Sequence, residues 1–367
     1  PIGLTARPAG DGVLAVSIPS FRLDLERDVD LVEEVARLYG YDRIPLTIPK
    51  GDVGQQKMTW EQVLERKCKE ILVGCGLTEA ITFSFMNPKG FDKMSLPQED
   101  PLRKVVEVTN PLSEDQKVMR TTLIPNLLEV AQRNAGRKVG SLSIFEFGQI
   151  FSPEGEDKPS EKPAFAGLVM GSLAGGWKWA KEELDFFFLK GVLEELLGQL
   201  GVPDLEWESG SQAGMHPGRT AGIMSGSEVL GFLGEVHPDV LENYSLNSRT
   251  CVFQLDFNTL ARLAEKGKSY TPLQRFPSAE RDLAVIVSEE VTAAELETAI
   301  LQAGGDLLAD CHLFDVYRGD QVPEGKKSVA YALVYQSRER TLTDEEINTR
   351  HGDIKEKLAE RFAAELR

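Results

Sequence analysis

The 367-residue chain carries 58 acidic and 41 basic side chains, which give a formal net charge of −17. This balance excludes broad nucleic-acid binding, because attraction to phosphate needs positive charge, but it leaves room for a local basic patch. No apolar run is long enough for a membrane span. The four cysteines lack CxxC spacing, which indicates reduced thiols in a cytoplasmic protein rather than disulfides or a zinc site.

Residues 1–49 read as an incomplete domain. An extended run precedes a helix that we predict from Asp30 to Tyr39, with Gly40 directly after its end. One hairpin and one helix bury little apolar surface by themselves. The chain also lacks an initiating Met. We therefore expect that further sequence precedes this segment in the natural protein.

Residues 50–268 form the second predicted domain, after a polar linker over 44–56. Thr59 and Gln62 form a capping box for a helix whose apolar stripe includes Val63 and Cys68. We expect a strand at 80–85 and a helix with Pro125 in its first turn. Further predicted strands and helices alternate through this region. The strands are 142–151, with both faces buried as in a central position, 165–170 and 251–257, and the helix is 185–197.

Residues 272–367 have the element order βαββαβ, which is typical of a ferredoxin-like layer with its helices on one face. The fourth strand, over 362–367, is short, and Thr343 with Glu346 forms a capping box for the long second helix. The fold class predicted for the whole chain is α+β. Its core is an antiparallel sheet with helices.

Several short sequence motifs resemble those of one protein family. Four motifs of the C-terminal module resemble the ferredoxin-fold anticodon-binding domain that ends bacterial phenylalanyl-tRNA synthetase β subunits. These motifs are residues 276–283, 313–319, 327–330 and 340–346. Residues 19–24 and 30–45 resemble the end of the B5 domain of that subunit. Three further motifs resemble the core domain of that subunit, which is a class II synthetase fold without the catalytic signature. They are residues 110–113, 118–125 and 145–151.

The resemblance implies a Mg²⁺ site shared with an α subunit. Its four carboxylates fall on Asp24, Asp30, Glu33 and Glu34, and carboxylates are suitable ligands for this hard ion. The alternative interpretation is local, because Asp30 and Glu33 also fit a capping box and acids in a first turn suit the helix dipole. Both interpretations stay open on the sequence alone.

No catalytic residue is predicted in this chain. His216-Pro-Gly-Arg219 is the nearest candidate for a phosphate clamp, but no accompanying arginine motif supports it. A turn that places Arg219 against a core carboxylate or a partner backbone is the favoured interpretation. The resemblance implies that ATP and phenylalanine are bound by the α subunit of an (αβ)₂ tetramer, and that this chain supports assembly.

The resemblance also implies that the exposed sheet and loops of the C-terminal module contact tRNA(Phe). Six cations near strand ends and turns are the predicted contacts: Arg281, Arg318, Lys326, Lys327, Arg338 and Arg340. Tyr317, Tyr331 and Tyr335 are candidates for base stacking, although strand tyrosines are usually half-buried. Two other hypotheses stay open. One is a self-sufficient ATP-dependent ligase, and the other is a scaffold whose module binds protein, which the net acidity favours.

Overall fold

The computed structural model describes residues 2–48, 51, 57–153, 158–173, 177, 181–267, 270 and 272–366. The chain divides into two compact units, Pro1–Ala264 and Glu265–Arg367. This division lies close to the predicted boundary near residue 268. The boundary near residue 49 stays a prediction. The greater part of the predicted linker, residues 49–50 and 52–56, lies outside the described residues.

The first unit contains the B5-like segment and a large mixed α/β core. Its strands are β1 (Thr5–Gly10), β2 (Val13–Ser17), β3 (Thr78–Glu79), β4 (Phe85–Met86), β5 (Val118–Met119), β6 (Leu142–Ser152), β7 (Ser160–Met170), β8 (Ser172–Leu173), β9 (Glu182–Glu183), β10 (Leu205–Ser209), β11 (Met215–Ser225), β12 (Glu228–Val236) and β13 (Thr250–Asp256). Its helices are α1 (Asp28–Tyr39), α2 (Trp60–Gly74), α3 (Lys89–Lys93), α4 (Ile124–Gly136), α5 (Phe186–Gln199), α6 (Pro238–Asn243) and α7 (Phe257–Leu263).

A seven-stranded sheet in the order β10-β11-β12-β13-β7-β6-β3 organises this unit. Its ladders are antiparallel except for the short parallel pairing of β3 with β6. Alternation along β7 sends Phe165 and Val169 to one apolar core and Leu168 and Met170 to another. Helices α2, α5 and α7 cover the first face and α4 covers the second, so both faces of the sheet are buried.

The segment before α2 buries little. β1 and β2 form a separate hairpin, and Leu25 is the one buried apolar side chain among the described residues up to 48. Val32, Val35 and Leu38 on α1 are exposed. This agrees with the expectation that a lone hairpin and helix cannot build a core.

Two details of the helix assignments were wrong. Helix α1 begins at Asp28 rather than Asp30. Asp30 lies in its first turn, where Oδ2 accepts the amides of Glu26 and Arg27 just before the helix. Val63, placed on the apolar stripe of α2, is 43% exposed. The capping box of Thr59 and Gln62 is confirmed.

The predicted strand at 80–85 was also wrong for most of its length. Only Phe85 and Met86 pair as a strand, with β5. The backbone leaves the sheet because the Thr82 amide donates to the Glu146 side chain, at 3.2 Å, instead of to a strand carbonyl. The prediction that both faces of β6 are buried is confirmed at Ile144 and Phe145, which lie in opposite cores. The strand is not central, however, because it lies next to the edge strand β3, which pairs with only two of its residues.

The second unit has the predicted βαββαβ order. Its elements are β14 (Ala279–Ser288), α8 (Ala293–Gly304), β15 (Leu308–Tyr317), β16 (Lys326–Tyr335), α9 (Asp344–Phe362) and β17 (Glu365–Leu366). The sheet order is β15-β16-β14-β17. Leu283, Val285 and Val287 point to the helices and form a core with Leu296 and Ile354. Thr292 and Thr343 cap α8 and α9 with capping boxes, and the predicted box of Thr343 with Glu346 is confirmed.

Candidate functional site

Arg22 lies between two of the four predicted metal ligands. Its Nε and Nη2 donate to the two carboxylate oxygens of Asp24 at 2.9 and 2.6 Å, and Nη2 also donates to Glu34 Oε1 at 2.9 Å. Arg37 Nη2 donates to the other oxygen of Glu34 at 2.5 Å. One guanidinium therefore ties the loop before α1 to the buried carboxylate of the helix.

These contacts keep the acids ionised. The hydrogen bonds from Arg22 lower the pKa of Asp24 to about 2. Those from Arg37 and Arg22 lower the pKa of Glu34. The amides of Arg27 and Glu26 lower the pKa of Asp30, because they hydrogen-bond its charged form.

The remaining predicted ligands do not converge with these two. Asp30 faces backbone amides at the start of α1, and the exposed Glu33 makes no hydrogen bond or ion pair within the described ranges. No group of three or more His, Cys, Asp or Glu side chains in the described part of the chain has a metal-binding arrangement. With Asp24 and Glu34 occupied by a guanidinium, these residues as placed do not fit Mg²⁺.

Five of the six predicted RNA-contact cations are held by acceptors of their own module. Arg281 pairs with Asp344 at 2.9 Å, Arg318 with Glu289 at 2.7 Å, and Arg340 Nη1 with Glu346 at 2.7 Å. The ammonium of Lys326 contacts the carboxylate of Glu365, and Lys327 Nζ donates to the Glu289 carbonyl at 3.0 Å. The pairs lie at the surface, where such contacts are weak and exchangeable.

Arg338 differs from the other five. It is exposed in the turn after β16, and within the described ranges its side chain has no hydrogen-bond or ion-pair partner. Its guanidinium is therefore available to an external anion without breaking an internal contact.

The tyrosines do not form the expected stacking surface. Tyr331 and Tyr335 are buried beneath the helices, where Tyr331 donates to the Ala293 carbonyl at 3.0 Å and the Tyr335 hydroxyl lies 3.1 Å from His351 Nδ1. The stacking interpretation was wrong for both, because alternation along β16 sends them to the core face. Tyr317 lies opposite Ser328 in the pairing of β15 with β16, on the face of the sheet away from the helices.

The open face of this sheet is acidic and lined with small side chains. Asp282 lies opposite Ala332, Asp310 opposite Val334, and Asp315 opposite Ala330. These carboxylates are exposed. Phosphate groups are repelled by such a surface, whereas bases and sugars carry no charge to repel.

Arg219 takes the position of the favoured interpretation. Its Nη1 donates to Glu235 Oε1 at 2.8 Å, and Arg249 Nε lies 3.5 Å from the other oxygen of Glu235. His216 Nδ1 accepts the amide of Gly218 and shapes the turn. The partner of Arg219, which the sequence could not identify, is thus the carboxylate of Glu235.

Two features escaped the sequence reasoning. Arg120 and Glu146 form a buried ion pair at 2.7 Å, with side chains 3% and 1% exposed. The second feature is a surface cavity of about 540 Å³ lined by α4 and the segment 81–87. Ile81 and Phe83 on its rim are 88% and 74% exposed. The apolar alternation of residues 80–85 was visible in the sequence, but it was assigned to a strand core.

Within the part of the chain that the structure describes, no helix has both the length and the apolar character that a membrane crossing requires. All four cysteines are free thiols, and Cys68, Cys251 and Cys311 are buried. Burial raises the pKa of each of these three thiols to about 12, so they are inert at neutral pH.

Three family models match successive parts of the chain. Residues 1–41 match the tRNA synthetase B5 domain, residues 44–257 the phenylalanyl tRNA synthetase beta chain CLM domain, and residues 274–367 the ferredoxin-fold anticodon binding domain. The βαββαβ module on the C-terminal side of residue 265 lies within the range matched by the ferredoxin-fold model.

Curated relatives agree with this match. The chain is 47% identical, over 98% of its length, to the phenylalanine–tRNA ligase beta subunit of Moorella thermoacetica. It is 43% identical over its whole length to that of Symbiobacterium thermophilum. It spans 45% and 41% of these two relatives, or about half of their length. A pyrrolysyl-tRNA synthetase structure from Desulfitobacterium hafniense covers 57% of this chain and 74% of its own, with a TM-score of 0.44 and 17% identity.

The order of the three matched domains and the extent of the central one, which covers more than half of the chain, lead to one conclusion. The chain belongs to the phenylalanyl-tRNA synthetase beta chain family.

Proposed function

We propose that this chain supplies the assembly and tRNA-binding functions of a phenylalanine–tRNA ligase β subunit. The observation that carries the proposal is the succession of B5, core and anticodon-binding matches on one chain. The names of the relatives support the reaction, which is ATP-dependent attachment of phenylalanine to tRNA(Phe). The catalytic site then lies on an α subunit in an (αβ)₂ tetramer in the cytoplasm.

The core unit supports a role in assembly. Ile81 and Phe83 expose apolar surface at the cavity rim, and Leu112 beside it is 92% exposed. Clustered apolar side chains of this kind are typical of protein interfaces. Asn126 strengthens this interpretation, because its buried Oδ1 lacks a hydrogen-bond partner among the described residues and its side chain borders the cavity.

The anticodon-binding module supports a role in tRNA recognition. Because its open sheet face is acidic, we place the phosphate contacts at the strand-end loops, with Arg338 as the first candidate. The small side chains of the face leave room for unstacked bases, which are the usual targets of sequence-specific RNA recognition.

Magnesium and ATP belong to the proposal for the complex. ATP is assigned to the α subunit, since Arg219 and Arg120 are engaged with carboxylates. A Mg²⁺ ion shared with the α subunit remains a prediction for Asp24, Asp30, Glu33 and Glu34, whose placement in this chain does not fit the ion because Arg22 holds Asp24 and Glu34.

Two variants test tRNA binding. We expect Arg338→Ala to weaken binding of tRNA(Phe) to the chain about threefold to tenfold, as for loss of one phosphate contact. The matched control is Arg350→Ala, which removes the same charge from the same module at a position outside the six predicted contacts. Equal losses for the two variants would contradict a specific role of Arg338 and indicate a general charge effect.

Assembly is tested by light scattering of the chain mixed with an α subunit, with and without Mg²⁺. We expect a heterotetramer for the natural chain and a weaker one for the double variant Ile81→Ser/Phe83→Ser. If the double variant forms the tetramer as well as the natural chain does, the interface lies elsewhere on the chain.

A protein-binding scaffold is the second candidate, and the acidic open face of the module favours it. The two functions differ in their dependence on RNA. If neither tRNA(Phe) nor unrelated tRNA binds the chain at low salt, the scaffold is the better account.

A further inference from the structure

We propose that the cavity between α4 and the segment 81–87 receives an arginine side chain of the α subunit, with the Glu129 carboxylate as its counter-charge and the Asn126 amide oxygen as a second acceptor. The inference rests on the proposed function for the identity of the partner. It adds the chemistry of recognition, which is a guanidinium group inserted at the centre of an apolar contact.

Glu129 supplies the negative charge at the cavity wall. Its half-buried side chain lines the cavity and forms no hydrogen bond or ion pair with any residue whose position the structure describes. Burial raises the pKa of this carboxyl, because the charged form loses water, and Lys93 and Arg133 oppose the shift only at longer range. Asp115, a second acid of the lining, adds to the negative potential. A cation that enters the cavity therefore finds a carboxylate that is not held by another charge.

Asn126 adds a second acceptor, one turn before Glu129 on α4. The residue is 7% exposed and borders the cavity. Its Nδ2 donates to the Phe83 carbonyl at 2.9 Å. This contact fixes the orientation of the amide, because the flipped amide would place two carbonyl oxygens against each other. The buried Oδ1 has no donor among the residues with described positions, so a donor that reaches it from the cavity removes the cost of an unpaired buried acceptor.

The rim of the cavity indicates that the donor belongs to a protein rather than to a free small molecule. Ile81 and Phe83 on the rim are highly exposed, as is Leu112 beside the lining residue Ser113. A cluster of this kind is typical of a surface that another polypeptide covers. The cavity volume of about 540 Å³ gives a long side chain room to enter, since sites for whole small ligands begin at about 300 Å³.

An arginine matches these groups better than a lysine does. The guanidinium presents five donors in a rigid fork, so one side chain can serve both Glu129 and Asn126, which lie three positions apart on one face of α4. The exposed ring of Phe83 offers a surface on which a guanidinium stacks. Arginine is also one of the residues that most often dominate the binding energy at the centre of an interface.

The first experiment measures binding of a phenylalanyl-tRNA synthetase α subunit to the full 367-residue chain by isothermal titration calorimetry. We expect Glu129→Gln to weaken binding about tenfold or more, because the substitution keeps the shape of the side chain but removes one charge of a desolvated pair. The matched control is Glu114→Gln, which makes the same change beside the cavity at a side chain that is 77% exposed. It should weaken binding by less than about threefold.

A second experiment needs no α subunit. Saturation-transfer NMR compares the affinities of the chain for N-acetyl-arginine amide and N-acetyl-citrulline amide, which have nearly the same shape but differ by one charge. We expect the natural chain to prefer the arginine derivative about fivefold or more, and Glu129→Gln to lose this preference. Because the comparison uses the natural chain, it decides the proposal even if circular dichroism shows that Glu129→Gln is unfolded.

Three results would overturn the proposal. Equal weakening of α-subunit binding by Glu129→Gln and Glu114→Gln would indicate a general charge effect. Equal affinity of the natural chain for the two amides would show that the cavity does not select a guanidinium. A preference for arginine that appears only after Arg133→Gln would show that the arginine of the same helix, which also lines the cavity, is the cation that serves Glu129.

The outcome for the cavity is separable from the proposed function. A natural chain that binds no α subunit but prefers the arginine amide would contradict the assembly role and leave the guanidinium site intact. A chain that binds the α subunit, with the same affinity after Glu129→Gln, would leave the assembly role intact and contradict the site.

Discussion

At position 148 even a methyl group would collide with Arg120, because a Cβ built on Gly148 lies 2.2 Å from Nη2 of that arginine. The space that glycine leaves admits a complete network. Arg120 Nη1 donates to Glu146 Oε1, Nε donates to the Gln149 carbonyl, and Thr82 donates to Glu146 Oε2. The buried charges are thus paired and hydrogen-bonded, which is the condition for tolerating them in a core.

We expect Glu146→Ala to lower the free energy of unfolding by about 3–5 kcal/mol, because it leaves the Arg120 guanidinium buried without its counter-charge. Urea denaturation followed by circular dichroism measures this. The control is Glu228→Ala, which removes an exposed partner of Arg262 and should cost no more than about 1 kcal/mol. Similar losses of unfolding free energy for both variants would show that the buried pair contributes no more to stability than the exposed pair does.

A second buried pair predicts a pH dependence. Burial, with Lys355 and Arg281 adding to it, lowers the pKa of His351, whose Nδ1 lies 3.1 Å from the Tyr335 hydroxyl. The unfolded chain therefore binds the proton more tightly than the folded module does. Stability is fully present above the unfolded value of about 6.5 and falls as pH drops through the lower folded value.

We expect the thermal midpoint of the natural chain to fall more steeply between about pH 7 and pH 5 than that of His351→Gln. Differential scanning fluorimetry across this range measures the difference. His312→Gln, which changes an exposed histidine of β15, is the control and should follow the natural chain. Parallel curves for the natural chain and His351→Gln would contradict the assignment.

Among the elements, α9 shows how local rules determine a boundary. Thr343 Oγ1 accepts the Glu346 amide, and the Glu346 side chain returns to the Thr343 amide at 2.9 Å. Arg340 and the Thr343 amide together lower the pKa of Glu346 to about 2. Residues within a few positions of one another supply all of these contacts. The sequence pattern predicted the capping box but not the contact of Arg340 with Glu346, since Arg340 was assigned to RNA.

We expect Thr343→Ala to destabilise the chain by about 1 kcal/mol, as is usual for loss of a capping side chain. Thermal unfolding monitored at the helix signal measures the change. Thr349→Ala serves as the control, because its hydroxyl bonds the Glu345 carbonyl within the same helix and caps nothing. A larger effect at Thr349 would contradict the capping account.

For the whole molecule, the net charge of −17 limits how RNA can bind. Five of the six predicted contact cations are engaged within the module, and the sheet face is acidic. We expect tRNA(Phe) affinity to vary with salt with a log–log slope no steeper than about −3, since each phosphate contact contributes about −0.7 to −0.9. Filter binding from about 50 to 200 mM salt measures the slope. A slope near −6 would require a basic surface that the described residues do not form.

The sequence by itself determined what depends on neighbours along the chain. Capping residues and the glycine after α1 act over a few residues, and so they predicted helix boundaries. The order of these local elements predicted the ferredoxin-like topology of the C-terminal module. Short sequence motifs in a fixed order identified the family for the same reason, because each motif spans only a few neighbouring residues.

Only the tertiary structure decided the partners of charged and aromatic side chains. Arg22 reaches Glu34 across twelve positions and Arg120 reaches Glu146 across twenty-six, while the face of β16 decides that Tyr331 and Tyr335 are buried. Where residues 80–85 were predicted to pair as a strand, the Thr82 amide instead donates to the side chain of Glu146. Such contacts depend on where distant segments meet in space, and no local pattern contains that information.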